Sequence, residues 1–191
     1  MRKLKLQVQI SVDGFVAGPN GELDWLTFHQ DDVHQKAISD LHESIDTILL
    51  GRKMTEGFTT YWEDVVDNQP DSPDYAFAEK MVNTPKIIFT KTLDEPSGKN
   101  TSLAKGELAD EIAQLKKQAG KDMIVYGGAA FVSSLLQGGH IDECYFFVNP
   151  ILLHQGMRIF DQLDHRQKLN LRDTTSYGNG VVVLHYQLAT E

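Results

Sequence analysis

Three short stretches of this 191-residue chain combine residue types that hold a phosphate. Gly51-Arg52-Lys53 closes the apolar run Thr47-Ile48-Leu49-Leu50, where a glycine lets backbone approach a ligand and two adjacent cations suit a phosphate. Gly127-Gly128-Ala129-Ala130 follows Val125-Tyr126, so a helix beginning after the glycines would aim its free amides and positive dipole end at a diphosphate. Thr90-Lys91-Thr92 follows Lys86-Ile87-Ile88-Phe89 and offers hydroxyls and an ammonium. Each stretch also has an ordinary reading: a capped turn with solvated charges, a tight glycine turn, an exposed loop. The glycine spacing is not the Gly-x-Gly-x-x-Gly dinucleotide fingerprint, which takes support from an ordinary Rossmann fold.

The elements that must carry these stretches follow from periodicity. Leu4, Leu6, Val8 and Ile10 alternate with Lys5, Gln7 and Gln9, predicting a half-buried or edge-proximal strand to about Val12. Asp13-Gly14 and Gly18-Pro19-Asn20-Gly21 flank Phe15-Val16-Ala17 and make a long, shaped loop. From an N-cap at Asp31 or Asp32, the residues Val33, Ala37, Ile38, Leu41 and Ile45 keep helical spacing, with the helix ending near Ser44. The apolar runs ahead of Gly51 and Thr90 read as strands covered on both faces. A helix over 107–119 capped by Gly120, the strand Met123-Ile124-Val125-Tyr126, an apolar helix over 129–137 and the strand Cys144-Tyr145-Phe146-Phe147-Val148 continue the alternation. Gly178-Asn179-Gly180, between 169–177 and 181–188, predicts a hairpin. Residues 58–85, aromatic and acidic with Pro70 and Pro73, read as an insertion within a single domain, 1–191, and contain a short helix around 75–82. The expected assembly is an α/β sheet with an antiparallel C-terminal edge.

A net charge of -9 argues against a nucleic-acid partner, since phosphate neutralisation needs clustered Lys and Arg. No window approaches the roughly 18 apolar residues of a membrane span, and the N-terminus lacks an apolar signal core. The lone Cys144 allows no internal disulfide and fits a reducing, cytoplasmic setting, where it reads as a small buried hydrophobe. His29, His34 and His42 fall in or beside one helix without metal-ligand spacing, so they are expected at exposed polar positions and no metal is predicted.

Taken in order along the chain, the segments 9–21, 48–56, 86–92, 124–131 and 141–160 resemble the dihydrofolate-reductase-like superfamily, in particular its bacterial branch related to the riboflavin biosynthesis reductase (RibD C-terminal) domain. The resemblance implies a three-layer α/β/α fold with a mostly parallel central sheet and an antiparallel C-terminal hairpin edge. It implies NADPH as cofactor, contacted also at Gly51, with Arg52 and Lys53 beside the 2'-phosphate, helped by Thr90 and Lys91, and with Gly127 to Ala130 covering the diphosphate. It places Val12, Asp13 and Ala17 in a loop over the nicotinamide, sets Gly156 and Arg158 at the open end of the cleft, and raises a cis peptide at Gly127-Gly128. There are departures. Met54 stands where the family's reductases commonly carry Thr, and Tyr126 where the riboflavin-pathway enzymes carry a substrate-binding Glu. Their Asp and Arg after the second strand have no counterpart in 54–60, and no deaminase motif is present.

The activity implied is hydride transfer to a small pterin-, folate- or pyrimidine-like heterocycle, resembling dihydrofolate reductase and 5-amino-6-(5-phosphoribosylamino)uracil reductase. Asp24, Asp31 and Asp32 are candidate proton donors near the first long helix, although the last two also suit an N-cap. Trp25 and Tyr126 are candidate substrate contacts, Trp25 having an equal claim to the core or rim. A catalytically silent nucleotide-binding module is the alternative, prompted by Met54 and Tyr126. The aromatic strand at 144–148 and the terminal hairpin also suit a homodimer, with a core-filling role as the plainer reading.

Overall fold

The computed structural model describes residues 1–26 and 32–189. Its elements are β1 (Leu4–Ser11), α1 (Asp32–Glu43), β2 (Ile45–Gly51), α2 (Arg52–Asn68), α3 (Tyr75–Asn83), β3 (Lys86–Phe89), β4 (Thr101–Ala104), α4 (Leu108–Lys117), β5 (Asp122–Val125), α5 (Ala129–Gln137), β6 (Glu143–Asn149), β7 (Leu169–Ser176) and β8 (Val182–Leu188). They form one eight-stranded sheet in the order β4-β3-β2-β5-β1-β6-β8-β7. Pairing is parallel from β4 to β6 and antiparallel from β6 through β8 to β7.

Alternation along the strands divides the core in two. Leu4, Leu6, Val8, Leu49, Met123 and Val125 meet Ile112 and Leu115 of α4 and Val132, Leu135 and Leu136 of α5 on one face. Ile48, Leu50, Ile124 and Phe147 meet Ile38 and Leu41 of α1 and Met81 of α3 on the other, where Phe58 and Trp62 of α2 also pack. The result is the three-layer α/β/α architecture.

Strand β1 is not an edge strand. It lies between β5 and β6, and Lys5 and Gln7 are buried with the leucines. Period-two polarity implied a wet face, yet the Lys5 ammonium bonds Ser44 Oγ at 2.8 Å and pairs with Asp122 at 3.0 Å, so its charge is compensated inside the fold.

Residues 58–85 form most of α2 and all of α3. Helix α2 tolerates its threonines because the hydroxyls of Thr55 and Thr59 bond back to the carbonyls of Gly51 and Thr55, at 3.2 and 2.9 Å. Helix α3 ends on Lys86, whose buried Nζ donates to the carbonyls of Met81, Val82 and Thr84 at 2.9 Å each. Strand β4 is short and follows a turn-rich stretch, and periodicity gave it no signal.

Candidate active site

Strands β2 and β5 are neighbours, with Leu49 paired to Val125, so the chain leaves the sheet at Gly51 and at Gly127 from adjacent carboxyl ends. Open α/β sheets place ligand crevices at such ends. The two exits interlock. A Cβ on Gly51 would stand 2.8 Å from Cβ of Phe131 in α5, and one on Gly127 would stand 3.5 Å from Sδ of Met54 in α2. Gly128 has φ of 86°, a left-handed conformation that turns the chain into α5. That rotation makes the turn with a trans Gly127-Gly128 peptide, correcting the cis bond expected from the sequence. No side chain caps Gly51 or Gly128, so the first-turn amides of α2 and of α5, including those of Ala129 and Ala130, carry the helices' positive ends at this crevice.

Arg52 and Lys53 are exposed on the first turn of α2. Arg52 lines a groove of about 440 Å³ with Glu56, Thr59, Leu93 and Gly98. Thr90 and Lys91 are differently engaged. The buried Thr90 hydroxyl accepts from the amides of Thr92 and Leu93 at 3.1 Å each, and Lys91 Nζ pairs with Glu107 at 2.7 Å. Both shape the loop after β3.

The loop after β1 docks on the segment after β6. Val12 is exposed, while the buried Ala17 forms an antiparallel bridge with Met157. Arg158 lays its guanidinium over the Phe15 ring, 4.4 Å from the centroid. The Asp13 carboxylate accepts from Ser11 Oγ at 2.7 Å and from the amides of Leu153 and His154 at 3.1 and 2.8 Å. The Ser11 hydroxyl, with those amides, pulls its pKa down to about 2. Trp25 is buried, its indole donating to the Glu22 carbonyl at 3.2 Å. Asp24 and Asp32 are exposed, and Asp31 lies outside the described residues, as does His29.

Sequence reasoning missed the polar chain beneath Tyr126. Tyr126 shares a face with Ile124, stacks on Phe58 at 6.0 Å and places its hydroxyl 2.9 Å from His42 Nδ1. His42 Nε2 lies 3.1 Å from Thr84 Oγ1, whose proton goes to the Lys80 carbonyl at 2.7 Å. Thr84 therefore accepts from His42 Nε2–H, and Nδ1 accepts from Tyr126. Burial, reinforced by Lys80, lowers the His42 pKa to about 4, and burial pushes the Tyr126 phenol up, so both are neutral near pH 7. His34 and His42 are thus buried, not exposed as their polarity suggested. His34 packs at a tilt between the rings of Phe147 and Tyr177, with centroids 5.5 and 5.0 Å away. The signal was available: His34, Ile38 and His42 recur every fourth residue, along the apolar stripe of α1.

A model of the RibD C-terminal domain matches residues 2–183. The chain belongs to the RibD C-terminal domain family. Two uncharacterized Bacillus subtilis (strain 168) proteins are similar along nearly their whole length. YyaP is 29% identical over 97% of this chain and 94% of its own, and YwjB is 27% identical over 97% of each. A solved structure from Shewanella sp. PV-4, provisionally named for riboflavin biosynthesis, superposes with a TM-score of 0.76 at 23% identity, over 98% of this chain and 99% of that one. The Thermotoga maritima diaminohydroxyphosphoribosylaminopyrimidine deaminase/5-amino-6-(5-phosphoribosylamino)uracil reductase gives 0.70 at 14% identity, over 98% of this chain and 57% of that one. Dihydrofolate reductase from Enterococcus faecalis, complexed with NADP(H), gives 0.59 at 16% identity over 98% and 97%. The family therefore has a reductase-like fold of the dihydrofolate reductase type. No helix among the described residues is long and apolar enough to cross a membrane.

Proposed function

We propose that this protein is an NADPH-dependent reductase that delivers hydride to a C=N or C=O group of a small pterin-, folate- or pyrimidine-like heterocycle. The observation that carries this reading is the interlocking of Gly51 and Gly127 at adjacent strand ends, with two uncapped helix starts at one crevice. The residues fit the cofactor. Backbone amides of 128–130 suit a diphosphate, and exposed Arg52 and Lys53 suit a 2'-phosphate. Bound there, NADPH supplies the hydride.

The chain's own residues bind, orient and exclude water. The 12–17 loop, pinned by Asp13 and the Ala17–Met157 bridge, walls one side of the cleft, and Tyr126 with Phe58 forms an aromatic floor. Water or one of Asp24, Asp31 and Asp32 supplies the proton. We also propose a cytoplasmic homodimer that covers the edge strand β7, where Leu169 and Leu171 are exposed. Light scattering would then give twice the chain mass, and a strict monomer would refute it.

The test is NADPH consumption, followed by loss of reduced-nicotinamide absorbance, with a panel of dihydropterins, dihydrofolate and aminopyrimidinones. Turnover with one of them supports the reading. Thermal protection by NADPH without turnover on any of them would favour a silent nucleotide-binding module.

A further inference from the structure

Gln9 lies near the carboxyl end of β1, paired in register with Phe147 of β6, and shares with it the sheet face that α1 and α2 cover. Strand β5 adjoins β1 on its other side and is followed directly by Tyr126, whose ring lies on that same face. Leu6 pairs with Val125, so Gln9 stands on the same face as the aromatic floor, two residues past the level of Tyr126 and toward the carboxyl end of the sheet where the glycine exits lie.

Its amide orientation is set by its neighbour. Asn149 Nδ2 donates to Gln9 Oε1 at 2.9 Å and to the Phe147 carbonyl at 3.0 Å, so the atom of Gln9 facing Asn149 must be the oxygen. The amino group points elsewhere, and Gln9 Nε2 is buried with no hydrogen-bond partner among the described residues. A buried donor left in this state needs an explanation, because most such groups find an acceptor. Among the described residues on this face, Asn149 is neutral, Tyr126 and His42 are held neutral, and Lys5 is paired with Asp122, which favours a neutral acceptor over an anion.

We propose that Gln9 is the specificity-determining residue for the substrate, its Nε2 donating to a neutral ring carbonyl of a lactam in the heterocycle to be reduced. This rests on the reductase reading above and adds to it an uncharged, oxo-bearing substrate edge. A ring bearing an amino group in place of the oxygen presents a donor to a donor and is rejected.

The experiment measures binding of pterin and of 2,4-diaminopteridine, which differ by that replacement, to the NADPH-loaded wild type and to Gln9→Leu and Gln9→Glu. Wild type should prefer pterin. Gln9→Leu should weaken pterin about 10- to 100-fold while leaving NADPH affinity unchanged. Gln9→Glu, which supplies an acceptor at the same place, should reverse the preference, a result that a purely structural role would not produce. Should Gln9→Leu fail to fold, the wild-type preference and its reversal in Gln9→Glu decide. Unchanged pterin binding in Gln9→Leu, no preference in wild type, or loss of NADPH affinity in the variants would overturn the proposal. NADPH binding to wild type with no pterin binding would overturn this assignment alone, whereas no NADPH binding would overturn the reductase reading beneath it.

Discussion

Gly156 lies directly against the backbone of Ala17: a β-carbon at 156 would stand 2.2 Å from the Ala17 carbonyl oxygen and 3.2 Å from the Phe15 ring. That oxygen accepts from the Met157 amide at 2.9 Å, while Val16 N donates to the Met157 carbonyl at 2.8 Å. These two backbone hydrogen bonds close the loop after β1 on the segment after β6 at a point where only glycine fits.

Gly156→Ala must therefore open this bridge. The expected cost is about 1–3 kcal/mol of stability, from a clash with backbone that cannot move aside like a flexible side chain. Urea unfolding measures it. Weaker NADPH binding should accompany it if the loop walls the proposed cleft, and titration of the variant with NADPH measures that.

Asp13 holds the same loop by charge. Its pKa falls from 3.8 to about 2, so its contribution is fully present above about pH 4 and is lost as pH falls through about 2. Asp13→Asn should increase hydrogen exchange at the amides of Leu153 and His154 at neutral pH, and should abolish the part of acid destabilisation between those limits. Unchanged exchange at both amides would contradict the pinning role.

His42 gives a second pH dependence, in a different window. Its folded pKa of about 4 lies below the ordinary 6.5, so the unfolded chain takes up a proton first as pH falls. Stability should be undiminished above pH 6.5 and decline by about 2–3 kcal/mol between pH 6.5 and 4. His42→Leu should flatten that slope. It should also leave the Tyr126 hydroxyl without its acceptor, lowering stability at pH 7 by about 1–3 kcal/mol. Denaturant melts across pH, wild type against variant, separate the two effects.

Much of this architecture was legible in the sequence, and the exceptions share a cause. Apolar runs before Gly51 and Gly127 gave the parallel strands, and the Gly178-Asn179-Gly180 turn gave the antiparallel edge, because those signals are local. Lys5, His34 and His42 were misplaced because polarity was taken for exposure, whereas each finds its partner only in tertiary contacts: Lys5 with Asp122, His42 with Tyr126 and Thr84, His34 between two rings. Gln9 carried no signal, since an unpartnered amide is visible only once Asn149 has fixed its orientation. Glycine chemistry pointed to two strand ends that prove to be neighbours, but Thr90 and Lys91 could not be seen to be engaged by their own loop and by Glu107 until the fold brought these groups together.

The central claim is that the crevice between the Gly51 and Gly127 exits holds NADPH, with Arg52 reading the 2'-phosphate. Calorimetric titration of NADPH and NADH into wild type and Arg52→Ala tests it most directly. Wild type should bind NADPH at least about tenfold more tightly than NADH, and Arg52→Ala should erase that difference by weakening NADPH alone, a change of about 1.4 kcal/mol or more. Equal binding of the two cofactors by wild type, or an undiminished NADPH preference in Arg52→Ala, would contradict the account.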